Sequence, residues 1–296
     1  MSTSTTTFER PADAGSASAT AATATAAGPA GALAAAKPQP RRRWRLLRHS
    51  LVLAKRSLIN TRQTPEALID VTVQPAIFLV LFTYVFGGAI AHGSQHAYLQ
   101  YLLPGILGQS IAMAGVAIGV NLNNDVSKGI FDRFRSLPIS RSVPLIGTVL
   151  ADVVRYVILF AITIGFGYVL GFRAQTGVLS VLAAGLLSIG FALCLCWASV
   201  WLGMISRTPG AVQGIMILAV LPMSFASNTF VQTSTLPGWM QTFVHFNPLT
   251  HLVGATRHLL LGGSATTDVL WTFLWMAILL AVFVPLALRA YRRRMV

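Results

Sequence analysis

Three pairs of residues in this 296-residue chain have types and spacings that could do chemistry. Asp152 and Arg155 stand three apart inside an otherwise apolar stretch. On a helix that spacing places both on one face, where opposite charges neutralise each other. Ionised groups in an apolar medium cost several kcal/mol unless paired. The pair therefore reads as a structural ion pair or as a proton or substrate site. Its shallow position, roughly two turns into the stretch, favours the structural reading. Cys194 and Cys196 are too close for an ordinary disulfide, and no His or acid lies near them in sequence. They read as small buried hydrophobes rather than soft-metal ligands. His92 and His96 have the i,i+4 spacing of helical metal ligands, but no third ligand is evident and Gly93 weakens a helix there. No metal and no catalytic residue is expected. The sequence holds no G-x-x-x-x-G-K-[ST], H-E-x-x-H or G-x-S-x-G, so this chain does not itself cradle ATP phosphates.

The elements that must position these residues follow from composition. The chain is 54% hydrophobic and 10% charged, against about 25% charged in a soluble domain. That is too little charge to solvate a soluble surface of this size. Six apolar stretches lie near Val71–Ile90, Leu99–Val120, Pro144–Leu170, Val178–Ile205, Ala211–Phe230 and Val269–Leu288. Each suffices for a hydrocarbon core of about 30 Å, which takes roughly 20 helical residues. Backbone groups in lipid must pair within their own segment, so these are helices. A β-barrel would show short alternating segments, and none occur. The fold class is an all-α integral membrane protein with six transmembrane helices.

Charge gives the orientation. Nineteen of the 22 Lys and Arg fall before the first stretch, between stretches two and three or four and five, or after the sixth. Arg173 and Arg257 fall on the other side, and Arg155 lies within a stretch. The positive-inside rule then puts both termini in the cytosol and the chain in the plasma membrane, as a multi-pass protein. The net charge of +14 is an orientation signal rather than a nucleic-acid footprint.

Four regions precede or interrupt the spans. Residues 1–40 are dominated by Ala, Thr, Ser, Pro and Gly and read as a disordered cytosolic tail, not a signal peptide. Residues 41–65 carry Trp44, Leu47, Leu51, Ala54 and Leu58 on one helix face among basic residues. They read as an interfacial helix on anionic lipid, ahead of a transmembrane domain at 66–296. The loop between stretches two and three holds Asp125, Lys128, Gly129, Phe131, Asp132, Arg133, Arg135, Pro138 and Arg141. Asn123 or Asn124 could cap a short helix there, and Gly129 could end one. Its mixed charge and two aromatics fit a docking element as well as a solvated linker. On the other side, the last loop carries few charges, and its Trp239, Phe243, Phe246, Leu249 and Leu252 suggest short interfacial or re-entrant helices. Asn247-Pro248 is a cap or turn signal, and Arg257 should snorkel outward or pair. Gln74, Tyr84, Gln109, Asn121, Tyr156 and Gln213 are candidate liners of a path through the bundle, though each also suits an ordinary interhelical contact.

The loop from Asp125 through Lys128, Gly129, Phe131, Asp132, Arg133, Arg135 and Pro138 to Arg141 resembles the signature of ABC-2 type transporter permeases, of the daunorubicin-resistance kind in particular. Pro237, Gly238 and Trp239, followed by Asn247, Pro248 and Arg257, resemble that family's last outer loop. The resemblance covers roughly residues 41–294. It implies an ABC-2 permease fold and a permease subunit of an ATP-driven exporter of hydrophobic or amphipathic compounds. It also implies a permease pair, of two identical copies or of two similar chains, and a separate ABC ATPase subunit carrying ATP and Mg. The loop around Lys128–Arg135 would then be a coupling helix seated on that ATPase. Lys128 departs from the family, which often has an acid before the glycine. The competing reading is a proton- or sodium-coupled secondary transporter, for which Asp152 is the candidate carboxylate.

Overall fold

The computed structural model of the chain describes residues 65–87, 95–129, 143–231, 233 and 236–294. The tail, the basic segment at 41–64, His92, and Phe131, Asp132, Arg133, Arg135, Pro138 and Arg141 lie outside the described residues. Within them the chain is helical, with no strand: α1 Pro65–Leu81, α2 Gln95–Ala114, α3 Val116–Ser127, α4 Val143–Leu170, α5 Val178–Ile205, α6 Pro209–Phe225, α7 Gly238–Phe246, α8 Pro248–Leu261 and α9 Thr266–Arg294. A π turn, Phe82–Phe86, continues α1.

Four helical stretches among the described residues are long and apolar enough to cross a membrane: Gln95–Ser127, Asp152–Leu170, Val178–Ile205 and Thr266–Arg293. Val73–Phe86 and Pro209–Phe225 are shorter apolar helices. Several helices outrun the apolar windows read from sequence, while α5 matches its window at Val178–Ile205. The second was expected to stop at Val120 and runs to Ser127, while the sixth runs to Arg294 instead of Leu288. A backbone ladder does not end where side chains turn polar; it ends where a cap or glycine stops it. The fifth stops early, at Phe225 rather than Phe230, in a turn closed by Ala226 N–H donating to the Pro222 carbonyl at 2.8 Å.

α2 and α3 form one stretch, because Gly115 N–H still donates to the Ile111 carbonyl at 3.3 Å. This stretch is the axis of the bundle. Of its most apolar window 83% is buried within the protein, against 11% for α9. Apolar side chains gain little from meeting one another in lipid, so close approach and hydrogen bonds must hold the helices together. Gly119 of α3 meets the backbone at Ser199 of α5. Facing it, a Cβ on Gly203 would come within 2.5 Å of the Gly119 carbonyl oxygen. No side chain fits at that crossing. Around it, Ile111, Leu122, Tyr156, Leu159, Cys196, Val200 and Tyr291 close the core with residues from α2, α3, α4, α5 and α9.

Candidate functional site: a polar cavity below an anchored end

The axis stretch has a distinct polar arrangement at each end and a cavity along its flank. The cavity is about 270 Å³ and is walled by α1, α2, α3, α4 and α6. Gln74, Ser110, Asn121, Arg155 and Gln213 supply its polar groups; Met113, Val116, Val120, Leu159 and Ile217 supply its apolar wall. Of the liners suggested by sequence, Gln74, Asn121 and Gln213 are brought together here. Gln109 and Tyr156 are buried elsewhere, with 4% and 0% exposure, and Tyr84 is turned outward at 60%. Ser110 and Arg155 are liners that the sequence reading did not name.

Arg155 and Asp152 act on each other electrostatically without a close contact. The ion pairs among the described residues are those of Asp268 with His251 and His258, and do not include Asp152 with Arg155. Arg155 lines the cavity, and its Nε is buried without a hydrogen-bond partner. A spacing of i,i+3 makes contact possible, but a four-bond side chain can turn to either neighbour of its face. Here it turns to the gap. Cys194 and Cys196 are buried free thiols, and the Cys196 Sγ donates to the Leu193 carbonyl at 3.0 Å. No group of three His, Cys, Asp or Glu among the described residues could hold a metal ion.

Below the cavity, α3 leads into the mixed-charge loop. Asn123 was a candidate helix cap; instead it is buried in the helix, at 0% exposure. Its Nδ2 donates to the Gly203 and Ser206 carbonyls at 2.8 and 2.9 Å. These are C-terminal carbonyls of α5, or just past it, which have no partner within their own helix. Asn123 therefore ties the end of α3 to the end of α5. Ser127 Oγ donates to the Asn123 carbonyl at 2.8 Å, Lys128 N–H to that of Asn124 at 3.0 Å, and Gly129 N–H to that of Val126 at 3.1 Å. Gly129 has φ +67°, the left-handed conformation that ends helices. Of the remaining loop residues described, Lys128 is exposed and Asp125 half-buried.

At the opposite end, α7 and α8 are the short helices expected in the last loop. Pro237 precedes α7, Gly238 opens it, and Trp239 is 76% exposed. Asn247 is the cap expected of Asn-Pro: its Oδ1 accepts from Leu249 N–H at 2.9 Å. Its Nδ2 also donates to the Met223 and Ala226 carbonyls at 2.7 and 2.8 Å, fastening α8 to the end of α6. Arg257 does not snorkel outward. Its Nη2 donates to the Tyr101 and Asn228 carbonyls at 3.2 and 2.9 Å, and the guanidinium lies 3.8 Å over the Tyr101 ring. Burial lowers its pKa from the ordinary value, while Tyr101 and Asp268 raise it. His251 meets Asp268 at 3.4 Å and the His245 carbonyl at 2.9 Å, and stacks on Trp271. His258 meets the other Asp268 oxygen at 3.6 Å.

Comparison with known proteins bears on all three regions. A family model described as ABC-2 type transporter matches residues 48–261. The chain is 42% identical over 239 residues to the daunorubicin resistance ABC transporter permease protein DrrB1 of Streptomyces coeruleorubidus, covering 81% of this chain and 84% of that one. It is 25% identical over 246 residues to the probable doxorubicin resistance ABC transporter permease protein DrrC of Mycobacterium tuberculosis (strain CDC 1551 / Oshkosh), covering 82% and 88%. To the inner membrane transport permease YadH of Escherichia coli (strain K12) it is 23% identical over 206 residues, covering 66% and 77%.

Proposed function

The chain belongs to the ABC-2 type transporter family, and from that premise we propose that it is the membrane subunit of an ATP-driven exporter. Six helices cross the plasma membrane with both termini in the cytosol. Two permeases, identical or similar, pair with a separate ATPase that binds ATP and Mg. The cargo is a hydrophobic or amphipathic compound, as the resistance named for two of the relatives suggests.

The observation that carries this reading is the tie at Asn123. The helical turn ends at Gly129, about one and a half turns beyond Asn123, and Asp132, Arg133 and Arg135 of the mixed-charge loop follow it in sequence. A push on that loop reaches α3 through a closed, hydrogen-bonded turn. Asn123 and the Gly119–Gly203 crossing pass it to α5. Packed elements with two arrangements convert such a push into a switch between states rather than a gradual bend. The cavity beside α3 would then change shape as the ATPase closes.

The test is co-expression with the ATPase encoded nearest to this chain, purification through a tag on the permease, and drug uptake by inside-out vesicles. Wild type should retain the ATPase and transport on ATP addition. A Gly129→Val, Asp132→Ala, Arg133→Ala variant should lose the ATPase while still reaching the membrane. Equal retention by both would refute the docking role of the loop. Transport that persists without ATP and collapses in Asp152→Asn would instead establish the ion-coupled alternative.

A further inference from the structure

We propose that the cavity beside α3 binds the anionic group of an amphipathic molecule, a carboxylate, phosphate or phenolate, with Arg155 as its counter-charge. The inference rests on the transport reading above and names the chemistry of the molecule that the bundle takes.

The argument is one of unmet demand. A guanidinium has five N–H donors and no acceptor. Arg155 holds its Nε buried and unpartnered at the wall of an open cavity. Arg155 is half-buried and shares its charge with Asp152 only at a distance, so an acceptor entering the cavity would lower the cost of holding it in an apolar wall. Asp152 acts electrostatically on Arg155, but also on Tyr156 and Cys196, and it lines no part of the cavity. The other polar liners can donate as well as accept: the amides of Gln74, Asn121 and Gln213, and the hydroxyl of Ser110. No Asp or Glu among the described residues lines the cavity to hold a cation. The remaining wall is aliphatic, with Met113 an adaptable surface for a flat or branched body. A few convergent donors in a mostly apolar hollow is the common design of a small-molecule site.

The experiment uses the purified full chain in nanodiscs of zwitterionic lipid, without ATPase, so that its failure is separable from failure of ATP-driven transport. The probes are 2-naphthoate and 2-naphthylmethylammonium, two fluorescent two-ring molecules differing chiefly in charge. Binding is read by fluorescence after subtracting partition into empty discs. We expect saturable binding of the carboxylate and at least about tenfold weaker binding of the ammonium. A charge-assisted hydrogen bond is worth roughly that factor or more. Arg155→Gln should lower carboxylate affinity about tenfold or more, and Arg155→Lys by less. Gln213→Leu, which leaves the charge, should lower it roughly fivefold. Each variant is compared only after it elutes as wild type does by size exclusion. Absence of saturable carboxylate binding, equal binding of the two probes by wild type, or unchanged affinity in Arg155→Gln would each overturn the proposal. Discs rich in phosphatidylglycerol separate the sources. Competition there assigns the site to a lipid phosphate, whereas undiminished naphthoate binding assigns it to a free solute.

Discussion

Arg257 and Arg155 are the same residue type near opposite ends of one bundle, and they are treated in opposite ways. Arg257 is handed two backbone carbonyls and a ring face, from segments far from it in sequence. Arg155 lines the cavity, and its Nε is buried without a hydrogen-bond partner. The first arrangement joins α2, α8 and the turn after α6, and its neighbours Asn247, His251 and Asp268 extend the same bracing. Among the described residues, no hydrogen bond from the Arg155 Nε ties the second to another helix. A polar group that is fully met in the folded chain holds structure; one that is not met there is available to something that comes and goes. On this contrast the α7–α8 corner is a rigid cap, and the cavity is the part that changes its contents.

The largest effect should come from neither arginine but from the crossing on which both depend. Gly119→Val places a branched side chain against the backbone of Ser199, where no rotamer relieves it. Overpacking of this kind commonly costs 1–3 kcal/mol even against movable side chains, and backbone moves less. The variant should fail to yield monodisperse protein by size exclusion. If it folds, α3 and α5 are not locked together and the transmission argument fails.

Next in size is Arg257→Met. It removes the donors to the Tyr101 and Asn228 carbonyls, and the stacking on Tyr101. At about 1.5–3 kcal/mol for a hydrogen bond to a charged group, and roughly 2–4 °C per kcal/mol in a chain of this size, unfolding should drop by some 5–10 °C. Differential scanning fluorimetry in detergent reads it. Asn123→Leu should be milder in stability, about 1–2 kcal/mol for two lost amide bonds. Its signature is functional: ATPase retained, hydrolysis retained, and export reduced relative to hydrolysis.

Much of this was readable before any coordinates. Each of the six apolar stretches lies largely on a helix where described, and the Asn-Pro cap and the helix stop at Gly129 are local signals that survive folding. The apolar windows fell short of true helix ends because hydrophobicity reports lipid contact, whereas hydrogen bonding decides where a helix stops. The cavity was only half legible. Gln74, Asn121 and Gln213 stand out as polar residues in apolar helices, but their meeting is set by the packing of helices distant in sequence. Arg155 was missed as a liner because Asp152, three residues away, offered a sufficient local explanation. Asn123 was misassigned for the same reason: a local cap is the commonest use of Asn, and its true partners lie 80 and 83 residues away.

The smallest effect is the most discriminating. Arg155→Met keeps much of the side-chain volume, removes the charge and breaks no hydrogen bond of Nε, which has no partner among the described residues. Asp152 loses a nearby counter-charge in this variant, and by taking up a proton it can stay neutral in its apolar surroundings at small cost. The shift in unfolding temperature should therefore be within about 2 °C of wild type. Arg257→Met, chemically the same change, should fall far outside that range. Two equal losses would show that Arg155 braces the bundle as Arg257 does, and the division between a fixed cap and a ligand-taking cavity would be lost. Unequal losses, together with weakened binding of an anionic probe in Arg155→Met, would mean that the bundle tolerates an unmet cation there because its partner arrives from outside the chain.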